Sequence, residues 1–315
     1  MTALPPSMMQ SLILFFLIAA GFLAGKLGVL KPETTKALSR FLIDFALPAI
    51  IIISMQRPFN AELRNQSLRI LALSTLVYAA SFPLAYAFTM LYRKASPAEL
   101  GVHRFAMCFS NVAFMGFPVG EAILGRESLF IISIYNIPFQ ILAFSVGTMM
   151  IVGRSVSKVH GKDGLVLALK KFLNPAIVSA LIGFVLFLAS ISIPEPLYSG
   201  LDLLGSMTTP LAMVVIGAVL SQSKLKGVLA NPRLWLTTGY RLVLFPMLVF
   251  GLTKALGLSG MELAVPVLVA AMPVAANTTI LAGVYGGDEV TASSLVFVST
   301  SLSLVSISIL ATLFH

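Results

Sequence analysis

The chain has 315 residues, of which 58% are hydrophobic and only 10% charged, with a mean hydropathy of +0.97. A soluble domain carries about a quarter charged residues, so this composition excludes a water-solvated globule. The net charge of +9 is dispersed over short loops, which fits membrane topology and contact with anionic lipid headgroups and argues against nucleic-acid binding.

Ten apolar runs of about 20 residues, long enough to cross a bilayer, follow one another along the chain. They cover 8–30, 38–56, 67–92, 103–124, 128–152, 174–193, 199–220, 233–256, 262–284 and 290–314. They lack the alternation of barrel strands, so they are expected to be helices. The first has no basic stretch before it and is too long for a signal core, so it is read as a span.

The second run carries Asp44 four residues before Pro48. An ionisable group inside the membrane is a functional candidate. Asp44 stands equally as a proton or cation site and as a helix-interior group satisfied by a neighbour. The fourth run is interrupted by Phe109-Ser110-Asn111-Val112-Ala113-Phe114-Met115-Gly116-Phe117-Pro118. Proline removes an amide donor, glycine lets the chain turn, and Asn111 offers donors and an acceptor. Helical bonding is expected to fail around Pro118. Cys108, the single cysteine, excludes an intrachain disulfide and reads as a packing residue. Glu121 reads as interfacial, and Glu127, Asp288 and Glu289 as helix-capping loop residues.

The eighth run holds Arg241, five residues before Pro246. It is read either as an attractor for an anion or as structural glue to Asp44 or an asparagine, the latter favoured. The ninth run breaks at Ala271-Met272-Pro273-Val274-Ala275-Ala276-Asn277-Thr278-Thr279. Its place matches that of the fourth run in the other half. A second half-helix presents a positive end to an anion, and paired discontinuous helices point to a transporter's substrate site. The alternative is a pair of proline kinks with asparagines bonded between helices. His103, His160 and His315 have no ligand spacing, so no metal is expected. No histidine lies deep within a span to serve as a base, His103 standing at the edge of one, and nothing visibly activates a serine, so no enzyme is expected.

Fifteen of the 21 basic residues fall in the loops on one side, among them Lys26, Lys31, Lys36, Arg40, Arg104, Arg154 and Lys224. Five fall on the other side: Arg57, Arg64, Arg69, Arg126 and Lys254. The positive-inside rule makes the first side cytoplasmic and both termini non-cytoplasmic. Pro48 and Pro210 stand 162 apart, as do Gly21-Phe22 and Gly183-Phe184, and Gly125 and Gly287. Two halves of five spans each must enter the membrane with opposite polarity. The expected organisation is a first repeat over 1–152, a short cytoplasmic linker over 153–173 and a second, inverted repeat over 174–315.

The run from Asn111 to Pro118 resembles the fourth-helix motif of the auxin efflux carrier family, which includes plant auxin carriers and bacterial permeases for malonate, malate and similar acids. Pro273-Val274-Ala275-Ala276-Asn277, with Tyr285-Gly286-Gly287-Asp288, is similar to the ninth-helix motif of the bacterial branch. Leu47-Pro48 resembles the second-helix motif. The resemblance spans essentially the whole chain. It implies the fold of the bile-acid/sodium symporters: all-α, ten transmembrane helices, with broken helices 4 and 9 crossing. Helices 1, 2, 6 and 7 would form a scaffold that dimerises, and helices 3–5 and 8–10 a transport domain. The implied site positions are Asn111, Pro118, Pro273 and Asn277. Ser110 replaces the proline of plant members, and the junction is short, which argues for a bacterial metabolite carrier of the inner membrane.

The expected function is secondary active transport of small organic anions, mono- or dicarboxylates, by elevator-type alternating access. Ser110, Asn111, Gly116, Pro118, Pro273, Asn277 and Thr278 are expected to bind substrate, and Asp44 and Arg241 to couple or pair charge. No cofactor is expected beyond a coupling ion, H+ or Na+. The expected partners are the substrate, lipids and a second copy of the chain. The alternatives are a sodium-coupled symporter of the bile-acid type, a sensor or channel, and a membrane-embedded enzyme.

Overall fold

The structure, a computed structural model, describes residues 6–58, 60–92, 94–152, 175–222 and 231–311. The expected linker at 153–173, with Arg154 and His160, lies outside them, as does His315. Among the described residues every regular element is helical, and pairing of the β type is confined to one bridge, Ser110 with Val274.

The helices are α1 (Pro6–Lys26), α2 (Pro32–Ser54), α3 (Ala61–Thr89), α4 (Pro97–Cys108), α5 (Val112–Leu124), α6 (Ser128–Leu142) and α7 (Thr148–Val152). After the linker come α8 (Pro175–Leu188), α9 (Leu197–Gln222), α10 (Pro232–Ala255), α11 (Gly260–Ala271), α12 (Thr278–Tyr285) and α13 (Glu289–Ala311). Among the described residues five are long and apolar enough to cross a membrane: α2, α3, α9, α10 and α13. Counting α6 and the next helical piece, bent by 44°, as one span gives six. The fourth and ninth apolar runs are each split into two pieces that are individually too short.

Local chemistry sets these boundaries. Asn60 accepts from the amide of Leu63 at 2.7 Å and starts α3; Ser96 accepts from that of Glu99 at 3.1 Å and, with Pro97 behind it, starts α4. Three helices widen into a π-type turn directly before an X-Pro pair. In each, the residue preceding the proline bonds the carbonyl five residues back: Leu47 to Leu42, Phe117 to Val112, Phe245 to Tyr240. A proline's ring crowds the carbonyl one turn earlier, and a wide turn relieves that crowding without ending the helix. Pro118 is therefore a helical residue of α5. The fourth run breaks upstream of it, at 109–111, which corrects the expectation of a break around Pro118. Pro273 does lie within its break.

Helices pack closely where side chains are absent. A Cβ on Gly21 would sit 2.1 Å from the carbonyl oxygen of Val214, and one on Gly217 would sit 2.0 Å from that of Ile18. These contacts bring α1 and α9 into near backbone contact. In the second such pair α8 rests on α2, with Gly183 against Met55. Phe109, at the first break, is anchored in an aromatic cluster with Phe105, Tyr78 and Phe139, at ring separations of 4.7, 6.1 and 5.5 Å. The outward faces carry large apolar side chains such as Phe16 (73% exposed) and Met90 (81% exposed), as a lipid-facing surface requires.

Candidate substrate site

The two breaks meet. The amide of Asn111 donates to the carbonyl of Pro273 at 2.8 Å, and the amide of Ala275 donates to the carbonyl of Phe109 at 3.2 Å. Ser110 and Val274 thereby form an antiparallel bridge between two interrupted helices. Backbone groups freed by each interruption are satisfied by the other, which is how irregular chain is tolerated away from water. Ser299 of α13 adds support by accepting from the amide of Val274 at 3.1 Å.

Carbonyls at the ends of the first half-helices meet a cation. Arg241, 1% exposed, donates to Met107 at 3.0 Å, Met272 at 3.0 Å and Val269 at 3.3 Å. A single guanidinium thus gathers the C-terminal ends of α4 and α11, where helix dipoles are negative. Its face also lies 5.2 Å from the centre of the Phe245 ring. Arg241 bonds neither Asp44 nor an asparagine among the described residues; Asp44 accepts from Arg40 at 3.2 Å instead.

On the opposite side the crossing opens into a cavity of about 410 Å³. Asn111 and Asn277 line it with Phe114, Thr279 and Ile280. Ser293, Val296, Phe297 and Thr300 of α13 complete that wall. The facing wall comes from α2 (Lys36, Ser39, Ile43) and α9 (Val215, Ile216, Val219, Leu220). Asn111 caps α5 by accepting from the amide of Phe114 at 3.3 Å. Asn277 stands at the N-terminus of α12, and its buried side-chain oxygen has no hydrogen-bond partner among the described residues.

Of the other expected residues, Thr278 is buried and donates to the carbonyl of Ala275 at 2.6 Å. Gly116 is buried in the wide turn of α5, where a Cβ would meet Val112 at 3.0 Å. Neither these two nor Ser110, Pro118, Pro273, Asp44 or Arg241 lines the cavity. Sequence reasoning missed Lys36, Ser39, Ser293 and Thr300. Their signal was periodicity: 36, 39 and 43, and 293, 296, 297 and 300, each mark one face of a helix.

A second polar group lies at the starts of α4 and α10. Glu99 accepts two hydrogen bonds from Arg233, at 2.7 and 2.8 Å, and Thr237 bonds both Tyr92 and His103, at 2.7 and 2.6 Å. It ties α3, α4 and α10 together and lies outside the cavity lining.

The sequence profile described as membrane transport protein matches residues 6–311. The chain belongs to that family. It is similar to an uncharacterized transporter of Methanocaldococcus jannaschii, 26% identical over 95% of this chain and 96% of the relative. An uncharacterized transporter of Methanothermobacter thermautotrophicus is 28% identical over 92% and 93%. A Rhizobium meliloti protein provisionally named a malonate transporter is 26% identical over 93% and 91%. These matches agree with the resemblance carried by the motifs around Asn111 and Pro273, and the chain is a membrane transporter by family.

Proposed function

We propose that this protein is a secondary active transporter of small organic anions, mono- or dicarboxylates of the size of malonate or malate. The crossing of the two interrupted helices is its substrate site. The observation that carries the reading is the placement of Asn277: it lines the cavity at the N-terminus of α12, beside the crossing. A helix N-terminus favours an anion. Asn111 lies beside it on the same wall, and Ser110, Gly116, Pro118, Pro273 and Thr278 shape the crossing behind it. The Rhizobium relative's name supports a carboxylate cargo.

The same reading takes the chain as ten transmembrane helices in two inverted five-helix repeats, 1–152 and 174–315. Reciprocal packing supports it: the first helix of each half, α1 and α8, lies on the second helix of the other, α9 and α2. These four helices would be a scaffold that dimerises, against which the crossed helices and their neighbours move as one body. The cavity, walled by α2 and α9 on one side and by α5, α12 and α13 on the other, is where such a movement would deliver substrate. Both termini would face outward from a bacterial inner membrane.

The test is flux of radiolabelled malonate into proteoliposomes. Asn111→Ala and Asn277→Ala are each expected to lower saturable uptake at least tenfold while the protein remains inserted and monodisperse. Wild-type uptake in both variants contradicts the reading.

A further inference from the structure

We infer that Lys36 is a specificity-determining residue of this cavity, reading the second carboxylate of a dicarboxylate whose first carboxylate lies at the Asn111–Asn277 wall. The inference rests on the organic-anion reading and sharpens it to diacids.

Polar groups in the cavity sit at two poles. Asn111, Thr279 and Asn277 of the crossed helices, with Ser293 and Thr300 of α13, form one. Lys36 and Ser39, one helical turn apart on α2, form the other, on the facing wall. Much of the lining between them is apolar, including Ile216 and Phe114. A molecule with two charged ends and a short hydrocarbon middle matches that pattern. A monocarboxylate leaves the second pole unused.

Lys36 is the only ionisable residue that lines the cavity among the described residues. It is available: it makes no ion pair there. The acid nearest the cavity on its own helix, Asp44, is engaged by Arg40. Glu33, one turn earlier, is exposed to solvent. An ammonium at the rim of a cavity with apolar walls concentrates anions. As a compact point charge it suits a carboxylate without demanding bidentate geometry. Its position on the wall opposite the asparagines means that it discriminates by the distance between the substrate's two ends.

The experiment uses two three-carbon acids, malonate with two carboxylates and propionate with one. Saturable flux of each is measured in proteoliposomes containing the full chain. The ratio of their kcat/KM values is expected to fall about tenfold in Lys36→Gln and to be held by Lys36→Arg. Asn277→Ala is expected to lower flux of both acids together. An unchanged malonate-to-propionate ratio in Lys36→Gln, with both acids carried, overturns the role of Lys36 and leaves the anion-carrier reading standing. No saturable flux of either acid by the wild type overturns both.

Discussion

The amide of Asn111 lies 2.8 Å from the carbonyl of Pro273, and the two residues stand 162 apart in sequence. That is the spacing that separates Pro48 from Pro210 and Gly21 from Gly183. A direct bond between residues at that offset places the meeting point of the two halves at their interruptions. It also makes each break the other's hydrogen-bonding partner, so the crossing is held by backbone.

Asn111 and Asn277 should therefore fail differently. Asn111→Ala removes a helix cap and should cost about 1 kcal/mol of stability together with flux. Asn277→Ala removes an amide whose oxygen bonds nothing among the described residues, so flux should fall with little change in unfolding temperature. Thermal unfolding in detergent, run beside the flux assay, separates the two.

Arg241→Ala leaves three buried carbonyls without their donor. Hydrogen bonds to charged groups contribute about 1.5–3 kcal/mol each, so the loss should reach at least about 3 kcal/mol and appear as a large drop in unfolding temperature. Arg241→Lys keeps the charge but offers no planar fork, and should restore stability only in part. Full stability in the alanine variant would mean that the guanidinium is not what joins α4 to α11.

How much of this was legible beforehand differs by residue. Proline, glycine and asparagine announce a broken helix by their own backbone and hydrogen-bonding chemistry, so the fourth and ninth runs and Asn277 could be marked from the chain alone. The exact position of the first break could not, because Pro118 is accommodated by a wide turn. The partners of Arg241 were hidden for another reason: they are backbone carbonyls, which every residue has. Lys36 reads as one loop lysine among many until packing puts it in the same cavity lining as Asn277.

Gly217→Ala should destabilise by about 1–3 kcal/mol, the usual range for overpacking, because its Cβ would meet the backbone of α1 at 2.0 Å. Gly251→Ala on α10, with nothing within 4 Å of its Cβ, should be neutral or slightly stabilising. Expression level and unfolding temperature of the pair test whether α1 and α9 touch through glycine.

Glu99, just ahead of the fourth apolar run, is subject to opposing influences. Burial pushes its carboxyl up, but the hydrogen bonds and charge of Arg233 push it down further, and the net shift is below the ordinary value. A lowered folded value means stability that is present above the unfolded carboxylate pKa of about 4.3 and is lost as pH falls through the folded one. The stability difference between wild type and Glu99→Gln should be full at pH 7 and shrink below about pH 4. A difference independent of pH would show that the ion pair with Arg233 contributes nothing.

The most direct test of the substrate site is ligand protection inside the cavity. Cys108 is buried and is the only cysteine, so a cysteine placed at Thr279, on the cavity wall, can be labelled selectively with a small thiol reagent. Saturating malonate is expected to slow labelling of Thr279→Cys several-fold while leaving a cysteine at the exposed Ala61, ahead of the third apolar run, unaffected. Equal labelling of Thr279→Cys with and without every mono- and dicarboxylate tried would contradict a substrate site at the crossing.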